Sequence, residues 1–305
     1  MRYLVTGAAG FIGSQLLRTL LERGHDATGW DAFTDYYDPA LKEANAEGLP
    51  VERVDLAEDA LELDGLDGVF HLAGQPGVAS FGGVFPVYVR QNLLASERLF
   101  EAAAAAGVRT VFASSSSIYG DAEAYPTSEE TRPRPISPYG ITKLGAEHLG
   151  AAYAKEFGLD HVVVRYFTIY GPRQRPDMAL AKIVACLVDG RPFELHGDGT
   201  QSRSFTFVDD AVEATVLSME QSSAGDVFNV GGGDEASMLD AIDILESVSG
   251  RALELLPGPR REGDQARTLA DTSRIRERTG WEPRTPFAQG LEAQWRWAAD
   301  RVAAA

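Results

Sequence analysis

The stretch MRYLVTGAAGFIG, residues 1–13, decides the fold, because it joins a short apolar run to a helical pattern through three regularly spaced glycines. Gly7 permits a tight turn, Gly10 lets the backbone approach a phosphate group, and Gly13 lets a helix pack closely on a strand. The free N–H groups and the dipole at the start of a helix favour an anion there. The stretch therefore predicts a strand, a phosphate-binding turn and a helix, in that order.

An acidic residue follows at the spacing that a dinucleotide site requires. Asp31 ends a second predicted strand, Asp26–Trp30, eighteen residues after Gly13. A carboxylate at this point can bind both hydroxyls of a ribose. It would repel a 2′-phosphate, and neither Ala32 nor Phe33 offers a cation to hold one. The sequence therefore favours NAD over NADP as the dinucleotide.

The first half of the chain alternates short apolar runs with longer helical patterns. Strands this apolar, separated by helices, are typical of a parallel sheet that is covered on both faces. Right-handed crossovers then give an α/β fold with a Rossmann doubly wound parallel sheet. The predicted strands are Arg2–Thr6, Asp26–Trp30, Gly68–His71, Thr110–Ser114 and His161–Tyr166, and the predicted helices are Phe11–Arg23, Val87–Ala106 and Tyr139–Phe157.

The pattern changes after Tyr170, where a Gly-Pro pair and a polar loop interrupt the chain. The later predicted elements are a helix at Met178–Asp189 and strands at Phe193–His196, Phe205–Val208 and Val227–Val230, the last of which can rejoin the sheet. We therefore expect an NAD-binding Rossmann domain of residues 1–170 plus 205–232. A smaller α/β substrate-binding domain would comprise residues 171–204 plus 233–305.

Composition narrows the class of protein. The 305 residues are 44% hydrophobic and carry a net charge of −17, which would repel a polyanion such as nucleic acid. The chain has no apolar run long enough for a membrane span and no secretory signal pattern. Its one cysteine, Cys186, fits a reducing compartment, and its five histidines show no metal-ligand spacing. We expect a cytoplasmic protein without nucleic acid, membrane or metal as a partner.

A tyrosine and a lysine stand four residues apart at the start of a predicted helix. This spacing places the Tyr139 phenol and the Lys143 ammonium on one face. A nearby cation favours the phenolate and lowers the pKa of a tyrosine from about 10, which would make Tyr139 a general base. Surface helices carry such pairs by chance, but this chain has only four lysines. Ser114–Ser117 ends a predicted strand at the ligand-binding edge, where a hydroxyl can donate to a substrate oxygen.

These motifs have a known counterpart. Gly7–Gly13, Ser114–Gly120 and Tyr139–Lys143, in this order, resemble the extended short-chain dehydrogenase/reductase family of nucleotide-sugar enzymes. The likeness covers nearly the whole chain and, taken over all motifs, is highly specific. It continues in Arg165–Pro172, Ser202–Asp210 and Arg260–Asp264.

The resemblance implies NAD as the cofactor. In it, Asp55 and Leu56 look like the pair that contacts adenine, Leu72–Gly74 resembles the nicotinamide-side strand end, and Asn92 matches a supporting polar position. The cofactor-binding residues so implied are Gly7, Gly10, Phe11, Ile12, Gly13, Asp31, Asp55, Leu56, Leu72, Ala73, Gly74, Asn92, Ser114, Tyr139, Lys143 and Tyr166.

The resemblance also implies the catalytic and substrate-binding residues. Tyr139 and Lys143 are the catalytic pair, with Ser115 beside them. Guanidinium groups suit bidentate phosphate binding, so the arginines would hold the diphosphate of a UDP-sugar. The substrate-binding residues so implied are Gln75, Ser115, Ser116, Ser117, Tyr139, Thr168, Arg175, Met178, Arg203, Arg261 and Asp264.

The residues after the catalytic serine separate the reactions of the family. The 4,6-dehydratases place Asp-Glu there and the uronate decarboxylases place Glu, whereas this chain has Ser116 and Ser117. Without an acid to expel the 6-hydroxyl, dehydration is disfavoured. The remaining reaction is an isomerisation by transient oxidation at C4, rotation of the bound ketone and return of the hydride.

The run Thr168–Met178 looks most like UDP-glucuronate 4-epimerases, since UDP-galactose 4-epimerases usually have Asn in place of Thr168. Hydroxyls of Ser115–Ser117 and Thr168 can surround a sugar carboxylate, with Arg175 adding charge. Ala79 and Ser204 depart from that subfamily, which often has Arg and Asp there. The interpretation is an epimerase of UDP-glucuronate and UDP-galacturonate. The alternatives are a UDP-glucose/UDP-galactose 4-epimerase, a dehydratase or decarboxylase, and a non-catalytic NAD-binding sensor.

Two predicted helices, Val87–Ala106 and Tyr139–Phe157, are rich in Ala and Leu on more than one face. Members of the family pair these helices as an intersubunit four-helix bundle. The resemblance therefore implies a homodimer, and burial of both helices within one subunit is the alternative.

Overall fold

The computed structural model describes residues 1–77, 83–259 and 267–303 of the chain. The strands are β1 (Arg2–Thr6), β2 (Asp26–Asp31), β3 (Val51–Arg53), β4 (Gly68–His71), β5 (Arg109–Ser115), β6 (His161–Tyr166), β7 (Thr168–Tyr170), β8 (Phe193–His196), β9 (Ser202–Phe207), β10 (Val227–Val230), β11 (Glu235–Ser237), β12 (Leu255–Gly258) and β13 (Arg267–Thr268). The helices are α1 (Phe11–Glu22), α2 (Pro39–Ala46), α3 (Phe85–Tyr88), α4 (Ala95–Ala106), α5 (Pro138–Phe157), α6 (Ala179–Asp189), α7 (Val208–Gln221), α8 (Met238–Ser249), α9 (Ser273–Thr279) and α10 (Phe287–Ala303).

Seven parallel strands form the main sheet in the order β10-β6-β5-β4-β1-β2-β3. The strand order runs outward from β1 in one direction and from β4 in the other, so the chain changes direction between these two neighbours. In a doubly wound sheet, ligands bind outside the carboxyl ends of the strands at this switch point. The predicted Rossmann fold is confirmed, and β10 rejoins the sheet beside β6 as expected.

Alternating apolar side chains explain why both faces of this sheet are covered. Leu4 and Val69 point into one hydrophobic cluster, to which α4 and α5 contribute. Val5 and Phe70 point into the other, to which α1 and α7 contribute. Because successive residues of a strand face opposite sides, an unbroken apolar run requires helices on both.

Two segments differ from the sequence-based prediction. The predicted helix Val87–Ala106 begins earlier, with α3, and contains a π-helical stretch at Val89–Leu94 before α4. The predicted strand Phe205–Val208 ends at Phe207, because Val208 already begins α7. The first turn of α7 carries two acidic residues, which the dipole at a helix N-terminus favours.

A smaller sheet lies beyond the main one. Strand β9 is its centre and pairs with β7, β11 and β13, while β12 pairs with β8 in a separate two-stranded ribbon. Strand β9 thus belongs to the smaller sheet, and α7, which follows it directly, packs on β5 and β6 of the main sheet. The proposed boundaries of the two domains stay a prediction. No helix in the described ranges is both long and apolar enough to cross a membrane.

The start of β6 buries an unusual side chain. His161 is 4% exposed, and its ring packs against those of Phe100 and Phe112 with centroid distances of 4.9 and 6.1 Å. Among the residues that the structure describes, neither ring nitrogen has a hydrogen-bond partner. Burial therefore lowers the pKa of His161 from 6.5 to about 4.

This histidine predicts a loss of stability in acid. Below pH 6.5 the unfolded chain binds a proton at His161 that the folded protein excludes until about pH 4, so the free energy of unfolding falls as the pH drops through this window. The contribution of His161 to this loss is roughly 3 kcal/mol. Urea unfolding between pH 4 and pH 7 measures it, with His161→Leu as the comparison. The variant should show the shallower pH dependence, and identical slopes would contradict this account.

Candidate functional site

The glycine loop between β1 and α1 needs its glycines for close backbone packing. Gly7 has a φ of +71°, and a Cβ there would lie 2.8 Å from the amide nitrogen of Ala73. A Cβ on Gly13 would lie 2.8 Å from the carbonyl carbon of Gly7, far inside van der Waals contact. Gly10 is the N-cap of α1 and offers no side chain to cap the helix. Its first N–H groups are therefore available to an anion.

A cavity of about 190 Å³ opens at the carboxyl edge of the main sheet above this loop. It brings together most of the residues that the sequence assigned to the cofactor, together with three assigned to the substrate, of which Tyr139 was assigned to both. The predicted site residues that line it are Gly7, Gly10, Phe11, Ile12, Gly13, Asp31, Leu56, Leu72, Ala73, Gly74, Gln75, Ser114, Tyr139, Lys143, Tyr166 and Arg175.

Other predicted site residues lie outside the lining of this cavity. They are Asp55, Asn92, Ser115, Ser116, Ser117, Thr168, Met178 and Arg203. Arg261 and Asp264 lie outside the described residues, as does Ala79.

Asp31 fixes the shape of the cofactor end of the cavity. Its carboxylate accepts a hydrogen bond from the backbone N–H of Ala9 at 3.0 Å and one from Phe33 at 2.7 Å. The same side chain thus ties the end of β2 to the glycine loop. Two carboxylate oxygens have further lone pairs, so Asp31 keeps acceptor capacity for ribose hydroxyls.

A lysine that the sequence reasoning missed lies beside Asp31. Lys42, on α2, is 6% exposed, lines the cavity and donates to the Thr34 hydroxyl at 2.9 Å. Burial lowers its pKa, while the charge of Asp31 opposes this change. Residues 32 and 33 contribute no cation, but the fold brings in Lys42, which lies eleven residues after Asp31. The polar run between β2 and α2 was the signal that could have revealed it.

Asp55 is not among the residues that line the cavity, and its expected contact with adenine stays a prediction. It pairs with Arg90 at 2.9 Å and accepts from the backbone N–H of Ala57 at 3.0 Å. These partners occupy its carboxylate and tie the loop after β3 to the π-helical stretch. Leu56, by contrast, lines the cavity as expected and supplies an apolar surface.

Asn92 acts through its neighbours. Its side-chain oxygen accepts from the N–H of Gln75 at 2.7 Å, and its amide donates to the carbonyl of Gln75 and to the Thr142 hydroxyl at 3.1 and 3.0 Å. Asn92 is not among the residues that line the cavity, and its assignment as a cofactor-binding residue stays a prediction. Asn92 thus links the end of β4 to α5. It lies in the π-helical stretch, and π-helical irregularities are frequent at functional sites.

Tyr139 occupies the first turn of α5, which Ser137 caps by accepting from the N–H of Gly140 at 3.1 Å. Burial raises the pKa of Tyr139, while the charge of Arg175 and a hydrogen bond with Ser115 lower it. The expectation that Lys143 lowers this pKa is wrong in two respects. Burial outweighs the charges around the phenol, and the cation that acts against burial is Arg175.

Lys143 is turned towards the sheet. Its Nζ donates to the carbonyl oxygen of Ala113 at 2.8 Å and lies 4.8 Å from the centre of the Phe112 ring. Burial lowers the pKa of Lys143 to about 8, and the carboxylate of Glu147 acts in the opposite direction. The lysine is thus held in place by β5 while its charge remains close to the cavity.

The serine segment turns sharply after β5. Ser115 Oγ accepts from the backbone N–H of Ser117 and lies 3.2 Å from the Ser117 hydroxyl. Ser116–Ile118 forms a single 3₁₀ turn. The Ser115 hydroxyl lowers the pKa of the Tyr139 phenol, so this segment lies beside the phenol even though only Ser114 reaches the cavity lining.

Arg175 brings a positive charge to the same end of the cavity. Its guanidinium pairs with Asp177, with Nε–Oδ1 and Nη2–Oδ2 distances of 2.9 and 3.1 Å, and Tyr36 donates to the same carboxylate at 3.3 Å. Thr168 lies nearby in sequence on β7, opposite Phe205 of β9. The site therefore combines a phenol for proton transfer with a cation that can attract an acidic group.

The strand end that carries Arg203 lies apart from this cavity. Arg203 Nη1 donates to the carbonyl of Ser202 at 2.8 Å, and Ser204 Oγ accepts from the N–H of Gly232 at 3.0 Å. Within the described residues, no group of three or more His, Cys, Asp or Glu side chains is arranged to hold a metal ion.

Known proteins are similar to this chain in sequence and in architecture. Residues 3–231 match the model of the NAD dependent epimerase/dehydratase family. A Bacillus subtilis protein named as an uncharacterized UDP-glucose epimerase is 39% identical over 95% of this chain and 96% of its own length. The UDP-glucuronate 4-epimerase of Thermodesulfobacterium geofontis is 35% identical over 98% of this chain and 97% of its own.

A solved structure gives the same result in three dimensions. The UDP-glucuronic acid 4-epimerase of Bacillus cereus, in complex with UDP-glucuronic acid and NAD, superposes with a TM-score of 0.94 and is 37% identical. The match covers 99% of this chain and all of that one. The similarity therefore extends through the main sheet, the cavity and the smaller sheet.

Proposed function

Because the chain belongs to the NAD dependent epimerase/dehydratase family, we propose that it is a 4-epimerase, an isomerase that interconverts UDP-glucuronate and UDP-galacturonate. The observation that carries the proposal is that Tyr139 and Arg175 line one cavity with the glycine loop. A proton acceptor, a cation for an acidic sugar and a dinucleotide site thus adjoin one another. A dehydratase or decarboxylase of this family would need an acid at position 116 or 117, where this chain has serines.

The residues of the cavity fit NAD. The uncapped start of α1 and the close-packed glycines suit a pyrophosphate, Asp31 suits a ribose without a 2′-phosphate, and Leu56 suits an adenine face. NAD, when bound, supplies reversible acceptance of a hydride. The chain itself supplies binding, orientation and the movement of a proton.

Tyr139 is the residue that moves this proton. As phenolate it takes the proton of the sugar 4-hydroxyl, and as phenol it returns the proton after the sugar has turned, so that no proton is gained or lost overall. Arg175 and Ser115 favour the phenolate against the effect of burial. Lys143, held at the Ala113 carbonyl, keeps a positive charge below this reaction centre.

The acidic sugar is the substrate that the charges favour. Arg175 can attract a C6 carboxylate, and the hydroxyls of Ser115–Ser117 and Thr168 can donate to it. Holding the carboxylate also protects an oxidised uronate, a β-keto acid, from decarboxylation. Residues 116 and 117 are serines, so neither supplies the acid that a dehydratase or decarboxylase of this family uses. Arg203 would bind the diphosphate.

A neutral-sugar epimerase is the second candidate, favoured by the name of the Bacillus subtilis relative. Arg175→Gln separates the two, since it removes the cation but leaves the phenol. We expect kcat/KM for UDP-glucuronate to fall by roughly 10- to 100-fold, the cost of about 1.4 to 2.8 kcal/mol of charge-assisted binding, with little change for UDP-glucose. Steady-state kinetics with both substrates measure this ratio.

Arg191→Gln is the matched control, because Arg191 also pairs with an aspartate two residues away but is exposed. It should leave both substrates unaffected. An equal loss for both substrates in Arg175→Gln would mean that the cation serves a step common to all UDP-sugars and not the recognition of a carboxylate.

We also propose that the chain forms a homodimer. Large apolar side chains are exposed along α3, the π-helical stretch and α5, with exposures of 41% for Val87, 45% for Leu94 and 42% for Ile141. A second copy of the chain is the partner proposed for this face. Light scattering of wild type should give twice the mass of one chain, and Val87→Glu with Leu94→Glu should give one. Leu239→Glu, an exposed leucine on α8, is the control that should remain dimeric.

The charge and the cysteine content of the chain also bear on its cellular location and on its partners. We propose a cytoplasmic location and no nucleic-acid partner, supported by the net charge of −17 and by a single cysteine. The positive charge of the site is local, at Lys42, Lys143 and Arg175, and suits a small anionic ligand.

A further inference from the structure

A buried ion pair joins the catalytic helix to the main sheet. Glu147 on α5 receives two hydrogen bonds from Arg165 on β6, from Nε to Oε1 at 3.0 Å and from Nη2 to Oε2 at 2.7 Å. Their side chains are 8% and 9% exposed. Replacement of such pairs by apolar residues is often neutral or stabilising. Stability alone therefore does not explain why these two charges are buried here.

The pair is hydrogen-bonded to the two residues that flank residues 115–118, Ser114 before them and Tyr119 after them. Ser114, the last residue before Ser115, donates its hydroxyl to Glu147 Oε1. Arg165 Nη1 donates to the hydroxyl of Tyr119 at 2.8 Å, and Tyr119 directly follows the 3₁₀ turn. The turn that presents Ser115 to Tyr139 is thus fixed before and after by one ion pair.

Spacing and register place the pair where it can set the angle of α5. Tyr139, Lys143 and Glu147 follow one another at intervals of four residues, so they share one face of the helix. In the sheet, Ser114 lies directly opposite Arg165. A rotation of α5 about its axis would move all three helix residues together and would break the bonds of Glu147.

We propose that Glu147, paired with Arg165, is a positioning residue that holds Tyr139 and Lys143 in register with the Ser115–Ser117 segment. The inference rests on the proposed function in that it assigns the reaction to this phenol and lysine. Glu147 itself does not line the cavity and acts through its neighbours.

A second consequence concerns the charge of Lys143. Burial lowers the pKa of Lys143 to about 8, and Glu147 is the carboxylate that raises it against burial. The other titratable group that senses Lys143 is His71 on β4, whose own pKa is lowered by burial and by that ammonium. Loss of the Glu147 charge should therefore let Lys143 lose its proton at a lower pH.

The decisive variant is the double replacement Glu147→Leu with Arg165→Met, since Glu147→Gln alone leaves a buried, unpaired guanidinium and can fail to fold. The double variant removes both charges and keeps the volume apolar. We expect a melting temperature at or above that of wild type, a kcat reduced by about 10- to 100-fold and a KM within about twofold. Wild-type kcat in the folded double variant would overturn the proposal.

Tyr119→Phe is a milder variant that leaves the ion pair intact. It removes one hydroxyl of the network, and we expect a several-fold lower kcat with unchanged KM. Asp160→Asn is the matched control, because Asp160 pairs with Arg109 at 2.9 Å at the opposite ends of β5 and β6. It should leave kcat unchanged, and an equal loss of kcat there would also overturn a specific role for Glu147.

A readout that does not depend on turnover separates this inference from the proposed function. The chain has only four lysines, so NMR of ¹³C-labelled lysine, assigned with Lys143→Met, follows the titration of Lys143 directly. We expect the double variant to titrate at a lower pH than wild type. An unchanged pKa would overturn the coupling. A shift in pKa with no turnover of any UDP-sugar by wild type would leave the coupling in place and reject the epimerase.

Discussion

Tyr139→Phe is expected to reduce epimerisation by about a hundred- to ten-thousandfold, the range that a positioned general acid–base contributes. The phenol is the group that the site offers for proton transfer, with Arg175 and Ser115 favouring its charged form. Phenylalanine keeps the ring and its packing on α5. Cofactor binding and the melting temperature should therefore remain close to those of wild type.

The measurement compares steady-state rates and NAD content of purified wild type and variant. Tyr153→Phe is the control, because Tyr153 lies on the same helix and donates its hydroxyl to Glu97 outside the cavity. It should retain full activity. Turnover of Tyr139→Phe within tenfold of wild type would mean that another group moves the proton.

Gly13→Ala is expected to destabilise the protein and to abolish cofactor binding. Helix propensity alone would predict the reverse, a gain of about 1 kcal/mol for alanine inside α1. The added Cβ, however, would lie 2.8 Å from the carbonyl carbon of Gly7, where rigid backbone cannot move aside. We expect the free energy of unfolding to fall by about 1 to 3 kcal/mol, as overpacking usually costs.

The same displacement moves the start of α1 away from the position at which it binds phosphate. Urea unfolding and NAD titration, followed by quenching of tryptophan fluorescence, measure the two effects. Gly83→Ala is the control, since a Cβ there meets no atom within 4 Å. A Gly13→Ala protein that is more stable than wild type and binds NAD normally would contradict the packing of this loop.

Local sequence was sufficient for the parts of the site that depend on neighbouring residues. The glycine spacing, Asp31 and the Tyr139–Lys143 pair each follow from one strand end or one helix turn, and all of them line the cavity. The bounds of β1, β4 and β6 follow from uninterrupted apolar runs. The edge strand β3 was missed because it is three residues long and two of its side chains are exposed.

Contacts between distant segments could not be read from local pattern. The charge of Asp31 acts on Lys42, which lies on α2, eleven residues further along the chain. Asp55 pairs with Arg90 of the π-helical stretch, a contact that the local sequence does not indicate. Likewise, the pKa of Tyr139 depends on burial and on Arg175, which lies thirty-six residues away in sequence. The spacing of residues along a helix predicts which face a side chain lies on, but it does not predict how far burial removes that side chain from water.

The most direct test of the account is a product assay with the purified wild-type protein. UDP-glucuronate and UDP-glucose are supplied separately, and the products are resolved by chromatography and NMR. We expect UDP-galacturonate from the first and little turnover of the second, because Arg175 and the serine hydroxyls suit a carboxylate. UDP-galactose from UDP-glucose alone would contradict the acidic substrate, and a UDP-pentose or 4-keto sugar would show that the enzyme is a lyase.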